Sequence, residues 1–339
     1  MWKVGIIGFG FMGQMHYQYW EKLEDFSVAA ICDPNKNLRQ EIQNISGNLK
    51  GEQETVDFSG ADIYTDFEEM LAGAQLDVLS IAVPTYLHAE YSIRALQAGW
   101  HVMCEKPMAL TLEECDRMIA AAQTSGKLLQ IGHCVRFWPE YARAKEIVDQ
   151  GQYGRIVAAT FQRLATTPLW SWDNWFMDLK RSGGMALDLH IHDSDYIQYL
   201  CGAPKAVTSF GSQGSNQTLS HIVSQYHYSD DRVITAEASW MMMPSFGFEM
   251  SFNIMLENAT MVYDCTRDPA FQLFTREEDP IIPEIADGDG YWQEISHFAQ
   301  QIRGEQTPSV ITLEQSRESI RIINGEEESI RTGRKVSLE

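Results

Sequence analysis

From residue 3 to residue 131, short runs of β-branched and other apolar residues alternate with longer stretches whose apolar positions recur at helical spacing. Lys3 to Ile7, Val28 to Cys32, Val78 to Val83, His101 to Cys104 and Leu128 to Ile131 read as strands. Met12 to Leu23, Leu87 to Ala98 and Leu112 to Thr124 read as the helices between them. Alternation of this kind predicts an α/β layer, a doubly wound parallel sheet covered on both faces. Asn44 to Gly60, rich in Gly, Gln, Glu and Asn, reads as an exposed excursion. After Gly132 the pattern changes to successive strand-like segments: Arg155 to Gln162, Ala206 to Gly211, His221 to Tyr228, Val233 to Trp240, Phe248 to Leu256 and Thr260 to Asp264. Ser229, Asp230 and Asp231 fall between two of them as a hairpin turn. Helices near Trp292 to Ile302 and Leu313 to Ile322 close the chain. The expectation is a first domain over 1–132 and an α+β domain over 133–339 with a large, mostly antiparallel open sheet. No Gly/Pro/Ser-rich linker separates them, so they are expected to pack tightly, with the C-terminal helix free to return to the first.

A length of 339 residues suits two domains, and 44% hydrophobic with 11% aromatic content is enough for a real core. Charge narrows the partners. With 26 basic against 47 acidic side chains the formal net charge is −21, which repels phosphate backbones and anionic lipid headgroups. No basic stripe offsets this, so nucleic acid and membrane surfaces are not expected partners. No apolar run approaches the ~20 residues of a membrane-spanning helix, and the N-terminus leads straight into a strand, so a cytoplasmic protein is expected. The six cysteines are scattered without a C-x-x-C pair and read as buried free thiols.

Gly8-Phe9-Gly10-Phe11-Met12-Gly13 is G-x-G-x-x-G, follows an apolar strand directly and opens an amphipathic helix. That context turns a weak pattern into the phosphate-binding turn of a Rossmann domain. Gly8 permits the tight turn, Gly10 lets backbone approach a pyrophosphate, and Gly13 allows close helix–strand packing. Asp33 ends the second strand, 20 residues beyond Gly13, where a carboxylate accepts from a ribose 2′-hydroxyl and repels a 2′-phosphate. This favours NAD; Lys36 and Arg39 nearby keep NADP open.

Glu105-Lys106-Pro107 lies at the end of the strand His101 to Cys104, at the edge of the sheet where open α/β folds bind ligands. Pro107 stiffens the turn and Glu105 is a ready charge partner, so Lys106 is placed to hydrogen-bond a substrate oxygen, polarise a carbonyl or relay a proton. The alternative is a solvated surface charge. Further on, Asp188-Leu189-His190-Ile191-His192-Asp193-Ser194-Asp195 opens a predicted helix to Leu200, on which Asp188, His192 and Asp195 share one polar stripe. An aspartate there fixes an imidazole's tautomer and stabilises its protonated form, so the histidine can take a hydroxyl proton. A metal cluster built on His190 and His192 would suit a hydrolase but leaves the glycine loop without a purpose, and no metal is expected. Trp170, Trp172, Trp175 and Phe176 crowd a segment broken by Pro168, Ser171, Asp173 and Asn174. They serve either as core or as a platform for apolar ring faces.

Several of these features occur together in order: the glycine loop, Asp33, Val83-Pro84-Thr85 with His88, and Glu105-Lys106-Pro107. Arg136-Phe137 with Pro139 and Tyr141, Gly183-Gly184 and Asp188 to Asp195 follow. Over essentially the whole chain this resembles the glucose-fructose oxidoreductase, inositol dehydrogenase and MocA (Gfo/Idh/MocA) family. The resemblance implies that Val83, Pro84, Thr85, His88 and Glu105 join the glycine loop in binding the cofactor. It also implies that Lys106, Asp188 and His192 match the catalytic lysine and Asp-x-x-x-His pair of the inositol dehydrogenase branch. Trp175 and Tyr291 are placed near nicotinamide or substrate by the same likeness, and Arg136 is a candidate for an anionic substrate group.

The resulting expectation is an NAD(H)-dependent oxidoreductase acting on a secondary alcohol or ketone of a sugar, polyol or cyclitol, as a homodimer or homotetramer. Two alternatives stand: redox-neutral sugar chemistry on a retained, recycled cofactor, such as epimerisation or glycoside cleavage, and a non-enzymatic cofactor-sensing regulator. Whether His192 or Lys106 accepts the proton is open.

Overall fold

The computed structural model describes residues 1–38, 57–169, 171–214, 217–277 and 279–339. The chain forms two compact units. One is Met1–His133 with Trp170–Trp175 and Tyr291–Arg317; the other is Cys134–Leu169 with Phe176–Gly290 and Glu318–Glu339. The chain first crosses between the units after His133, and two later stretches belong again to the first unit.

The first unit is built on a parallel sheet of six strands: β1 (Trp2–Ile7), β2 (Phe26–Cys32), β3 (Asp62–Tyr64), β4 (Val78–Ile81), β5 (His101–Glu105) and β6 (Leu129–Gly132). Their order is β3-β2-β1-β4-β5-β6, so the winding reverses between β1 and β4. Helices α1 (Phe11–Glu21), α2 (Phe67–Gly73), α3 (His88–Gln97) and α4 (Leu112–Ser125) are the crossovers. Their limits follow local chemistry. Asp66 accepts from two amides of the first turn of α2; Thr111 and Glu114 make a reciprocal capping box on α4, and Gly126 ends it in the left-handed region. Sequence periodicity missed β3 and α2, because three and seven residues are too few to establish a period. Of the excursion expected at Asn44 to Gly60, residues 44–56 lie outside the described residues. Trp20, Ile6, Ile31, Val78 and Met103 form the buried centre together with Ile295 and Phe298.

The second unit carries eight strands: β7 (Ile156–Ala165), β8 (Ala206–Gln213), β9 (Leu219–His227), β10 (Val233–Ser239), β11 (Phe248–Leu256), β12 (Thr260–Asp264), β13 (Phe271–Phe274) and β14 (Val336–Ser337). The order is β13-β12-β11-β7-β10-β9-β8-β14, antiparallel throughout except where β10 pairs with β7. The hairpin expected around Ser229 to Asp231 is the β9–β10 connection. Helices α5 (Pro139–Gln150) and α6 (Ile191–Cys201) belong to this unit. Of the last two helices, α7 (Gly290–Ile302) gives the first unit Ile295 and Phe298, and α8 (Leu313–Thr332) runs from the first unit into the second. Tyr141, Phe161, Tyr196, Phe252 and Tyr263 meet mostly edge to face, with Tyr141 and Tyr196 at 4.8 Å and Tyr141 and Phe252 at 4.9 Å. Such pairs add to the burial of large apolar area.

All six cysteines are free thiols, and burial pushes Cys32 and Cys115 up to about 12, which leaves them inert as thiolates. Among the described residues no helix is long and apolar enough to cross a membrane.

Because Phe252 is fully buried among these rings, Phe252→Ala should cost about 3–5 kcal/mol. Urea unfolding followed by tyrosine and tryptophan fluorescence measures this; an unshifted midpoint would remove the ring cluster as the centre of the second unit.

Candidate active-site elements

The strand order reverses between β1 and β4, and the carboxyl ends of the strands at such a reversal are where a doubly wound sheet binds its ligand. The glycine loop lies there. Gly8 has φ +83, and a Cβ there would stand 2.5 Å from the carbonyl oxygen of Ala82. At Gly13 a Cβ would stand 2.0 Å from the Gly8 carbonyl oxygen, so only glycine lets α1 come down onto β1. Gly10 is different: it is exposed, and nothing lies within 4 Å of where its Cβ would be. No side chain caps α1, so its first amides, from Phe11 onward, present donors to an anion.

Phe9 contributes through its backbone only. Its ring is buried against Tyr17 and Phe58, and its amide donates to Asp33 Oδ2 at 2.8 Å. Asn35 donates its amide to Asp33 Oδ1 at 2.9 Å. Asp33 therefore holds the loop, while each oxygen keeps a second acceptor position for a ribose hydroxyl. Lys36 is exposed, and Arg39 lies outside the described residues. Open space at Gly10, uncapped amides and an anchored carboxylate fit a dinucleotide.

Val83, Pro84 and Thr85 follow β4, and Glu105-Lys106-Pro107 ends β5. Lys106 is half-buried, whereas Glu105 and Pro107 are buried. His88 does not reach outward as a cofactor ligand would. It is 1% exposed, with Nδ1 2.8 Å from the Pro107 carbonyl oxygen and Nε2 2.9 Å from that of Val83. Both oxygens only accept, so the two contacts are satisfied together only by a doubly protonated ring. Burial opposes that charge and pushes the pKa of His88 down; the two carbonyls and Glu105 pull the other way. The ring's direct contacts are main chain, and it ties the β4 turn to the β5 turn.

In the second unit, Ala186–His190 forms a π-helical turn that runs into α6. From Ala186 to Gln198 every residue is buried except Asp188 and His192. The polar neighbours are spent inside the protein. Arg163 forks onto Asp193 at 2.9 and 3.0 Å, Arg136 forks onto Asp195 at 2.8 Å, and Ser319 donates to Asp195 at 2.7 Å. His190 lies 3.4 Å from Glu326, and Ser194 is 2.9 Å from the Tyr226 hydroxyl.

Two expectations are corrected here. Asp195 does not share an accessible stripe with Asp188 and His192, because it is 1% exposed and is the counter-ion of Arg136. Arg136 is 1% exposed and its fork is filled by Asp195, so it is an internal ion pair rather than a receptor for an anionic substrate. Trp175 and Tyr291 are half-buried in the first unit, and Asp173 and Asn174, just before Trp175, are held at φ 51 and 47. Trp170 lies outside the described residues. Sequence reading missed Arg163 and Glu326, which carry no local motif, and also His16, whose only signal was its place one helical turn beyond Gly13; His190, weighed as a metal ligand, is instead 3.4 Å from Glu326.

Residues 2–133 match the oxidoreductase family with an NAD-binding Rossmann fold, and residues 141–262 match the GFO/IDH/MocA C-terminal domain. The chain belongs to the Gfo/Idh/MocA oxidoreductase family. Within this family it is 30% identical over 203 residues to the D-glucoside 3-dehydrogenase of Escherichia coli K12, covering 60% of this chain and 54% of that one. It is 28% identical over 213 residues to the 2,7-anhydro-N-acetylneuraminate hydratase of Mediterraneibacter gnavus, covering 62% and 53%. The chain thus spans about half the length of the curated relatives it matches. In fold it is similar to a levoglucosan dehydrogenase solved with NADH and levoglucosan, with TM-score 0.83 and 21% identity over 99% of each chain. As a Gfo/Idh/MocA member the chain carries the family's NAD-binding Rossmann domain, which agrees with the cradle at Gly8 to Gly13.

Gly10→Ala should leave thermal stability within about 0.5 kcal/mol, since nothing packs on it, and weaken NADH at least about tenfold by obstructing the pyrophosphate approach. NADH fluorescence titration reads this, and unchanged affinity would remove the loop from the binding surface. Breaking the second unit's ion pair with Asp195→Ala should cost about 3–5 kcal/mol, because it strands the buried Arg136 charge. Denaturant unfolding measures that loss.

Proposed function

We propose that this Gfo/Idh/MocA protein is an NAD(H)-dependent dehydrogenase of a secondary alcohol on a sugar, polyol or cyclitol, working also in the reverse sense on the matching ketone. The observation that carries this reading is the selective accessibility of Asp188 and His192. In a stretch where every other residue is buried, these two remain accessible, while their polar neighbours are consumed by partners within the second unit. A carboxylate and an imidazole presented in this way are equipped for proton transfer. The nicotinamide supplies the hydride chemistry when bound; the protein's own groups handle position and protons. His192 takes the hydroxyl proton, Asp188 orients the imidazole and stabilises its cation, and Lys106 donates a hydrogen bond to the reacting oxygen. Trp175 and Tyr291 are assigned to the surroundings of nicotinamide and substrate. NAD is the expected partner rather than NADP, because Asp33 stands at the end of β2 with a carboxylate that a 2′-phosphate would meet.

A redox-neutral reaction on a retained cofactor is the second reading, and the likeness to an anhydro-sugar hydratase favours it. The two readings differ in whether reduced cofactor leaves the protein. We infer a homodimer or homotetramer in the cytoplasm; size-exclusion chromatography with light scattering tests the assembly.

The test is formation of reduced nicotinamide over inositols, aldoses, alditols and 1,5-anhydro sugars, with NAD and NADP run separately. A signal with NAD is expected, lowered in Lys106→Ala and in His192→Ala by about 10²–10⁴-fold in kcat/KM with NADH affinity within about threefold. Full activity in Lys106→Ala would overturn its role. Silence across the panel together with NAD(H) that survives desalting would establish the second reading.

A further inference from the structure

We propose that His16 and His88 are positioning residues that grip the Glu105–Lys106–Pro107 turn from its two sides and thereby set where the Lys106 ammonium stands. This rests on the catalytic role given to Lys106 above.

The grip on the Glu105 side is a chain of hydrogen bonds that converges on the Glu105 carboxylate from both ends. Trp20 donates Nε1–H to Ser80 Oγ at 3.3 Å, and Ser80 Oγ lies 2.7 Å from His16 Nδ1. His16 Nε2 lies 2.9 Å from Glu105 Oε1, and the Lys106 amide donates to Glu105 Oε2 at 3.2 Å. With Ser80 donating to Nδ1 and Nε2–H donating to Glu105, a neutral imidazole satisfies every link. His16 and Ser80 are fully buried and Glu105 is buried, so water cannot substitute for a lost donor. On the other side, His88 stands between the carbonyl of Pro107, the residue after Lys106, at 2.8 Å and that of Val83 at 2.9 Å, donating to one of them when neutral and to both when protonated. Lys106 is thus the half-buried middle of a turn whose two ends are fixed by imidazoles from α1 and α3.

Glu294 of α7 stands beside this pair. One ligand atom each from His16, Glu105 and Glu294 lie within 4.8 Å of one another, and all three residues are buried. Within this buried trio, His16 Nε2 is the donor that reaches Glu105 Oε1. The same trio has the composition of a metal site. However, His16 Nε2 stands 2.9 Å from Glu105 Oε1, the length of a hydrogen bond, and an Nε2–H donor fills that contact.

The experiment needs no substrate. In the full-length protein, lysines are reductively methylated with ¹³C, and the Lys106 resonance is assigned by its loss in Lys106→Ala. In His16→Leu and in His88→Asn the resonance should move and its titration midpoint should shift by about half a pH unit or more, with NADH affinity kept within about threefold. His16→Gln, which keeps a donor near the Nε2 position, should restore most of the shift, a rescue that mere filling of space would not give. Should His16→Leu fail to fold, Ser80→Ala removes the link behind the imidazole and should shift the midpoint in the same direction by less. An unmoved Lys106 resonance in these variants overturns the inference, as does a shift that Gln fails to rescue. Zn²⁺ or Mn²⁺ binding to the protein that disappears in His16→Leu would instead make the trio a metal centre. On a panel substrate that turns over, kcat should fall about 100-fold in His16→Leu with KM little changed. Unimpaired turnover in Lys106→Ala would sink the role of the lysine itself, and a dead Lys106→Ala beside a fully active His16→Leu would sink only the positioning.

Discussion

The contact on which the first unit depends is the descent of α1 onto β1 at Gly13, where the space for a side chain is already taken by the Gly8 carbonyl oxygen. That close approach does two things. It sets an uncapped helix N-terminus, with its backbone amide donors, beside the β1–β4 reversal. It also fixes the angle and depth of α1, so that His16, one turn further along, reaches Ser80 of β4 and Glu105 of β5. The cradle for the cofactor and the support behind the lysine turn are thus consequences of one packing constraint. Asp33 adds a second tie by accepting from the Phe9 amide inside the glycine loop.

The second unit solves a different problem. It must leave two polar residues accessible on a helix that is otherwise buried, and it does so by giving each remaining charge on that helix an internal partner. Asp193 goes to Arg163 and Asp195 to Arg136, each through a two-pronged fork that fixes rotation as well as distance. Ser319 from α8 bonds Asp195, and Gln198 bonds Ser319 at 2.5 Å, so α6 is pinned from β7, α8 and the segment before α5. Buried pairs of this kind contribute little net stability compared with apolar replacements, and their value here is orientation. The π turn then sets the phase of Asp188 relative to α6.

Hydrophobic periodicity was enough to read both sheets in outline. Parallel strands buried on both faces are near-continuous apolar runs, and the strands of the second sheet alternate, so both leave a mark in one dimension. β3, α2, β13 and β14 escaped because they have too few residues for a period to show, and the twelve-residue α5 escaped as well. The glycine loop was legible for the same local reason, because its turn, its close approach and its helix start are all made within six consecutive residues.

The longer strands, most of the helices, the glycine cradle and the residue types available for proton transfer were legible in one dimension, since each depends on neighbours along the chain. Tertiary structure decided which of those residues are spent. Arg136 and Asp195 are 59 positions apart and cancel each other, His88 turns inward to two carbonyls, and His16 meets Glu105 across 89 positions. Such pairings are set by how sheets and helices bring distant segments together, and a linear pattern does not encode which lone pair each donor will find.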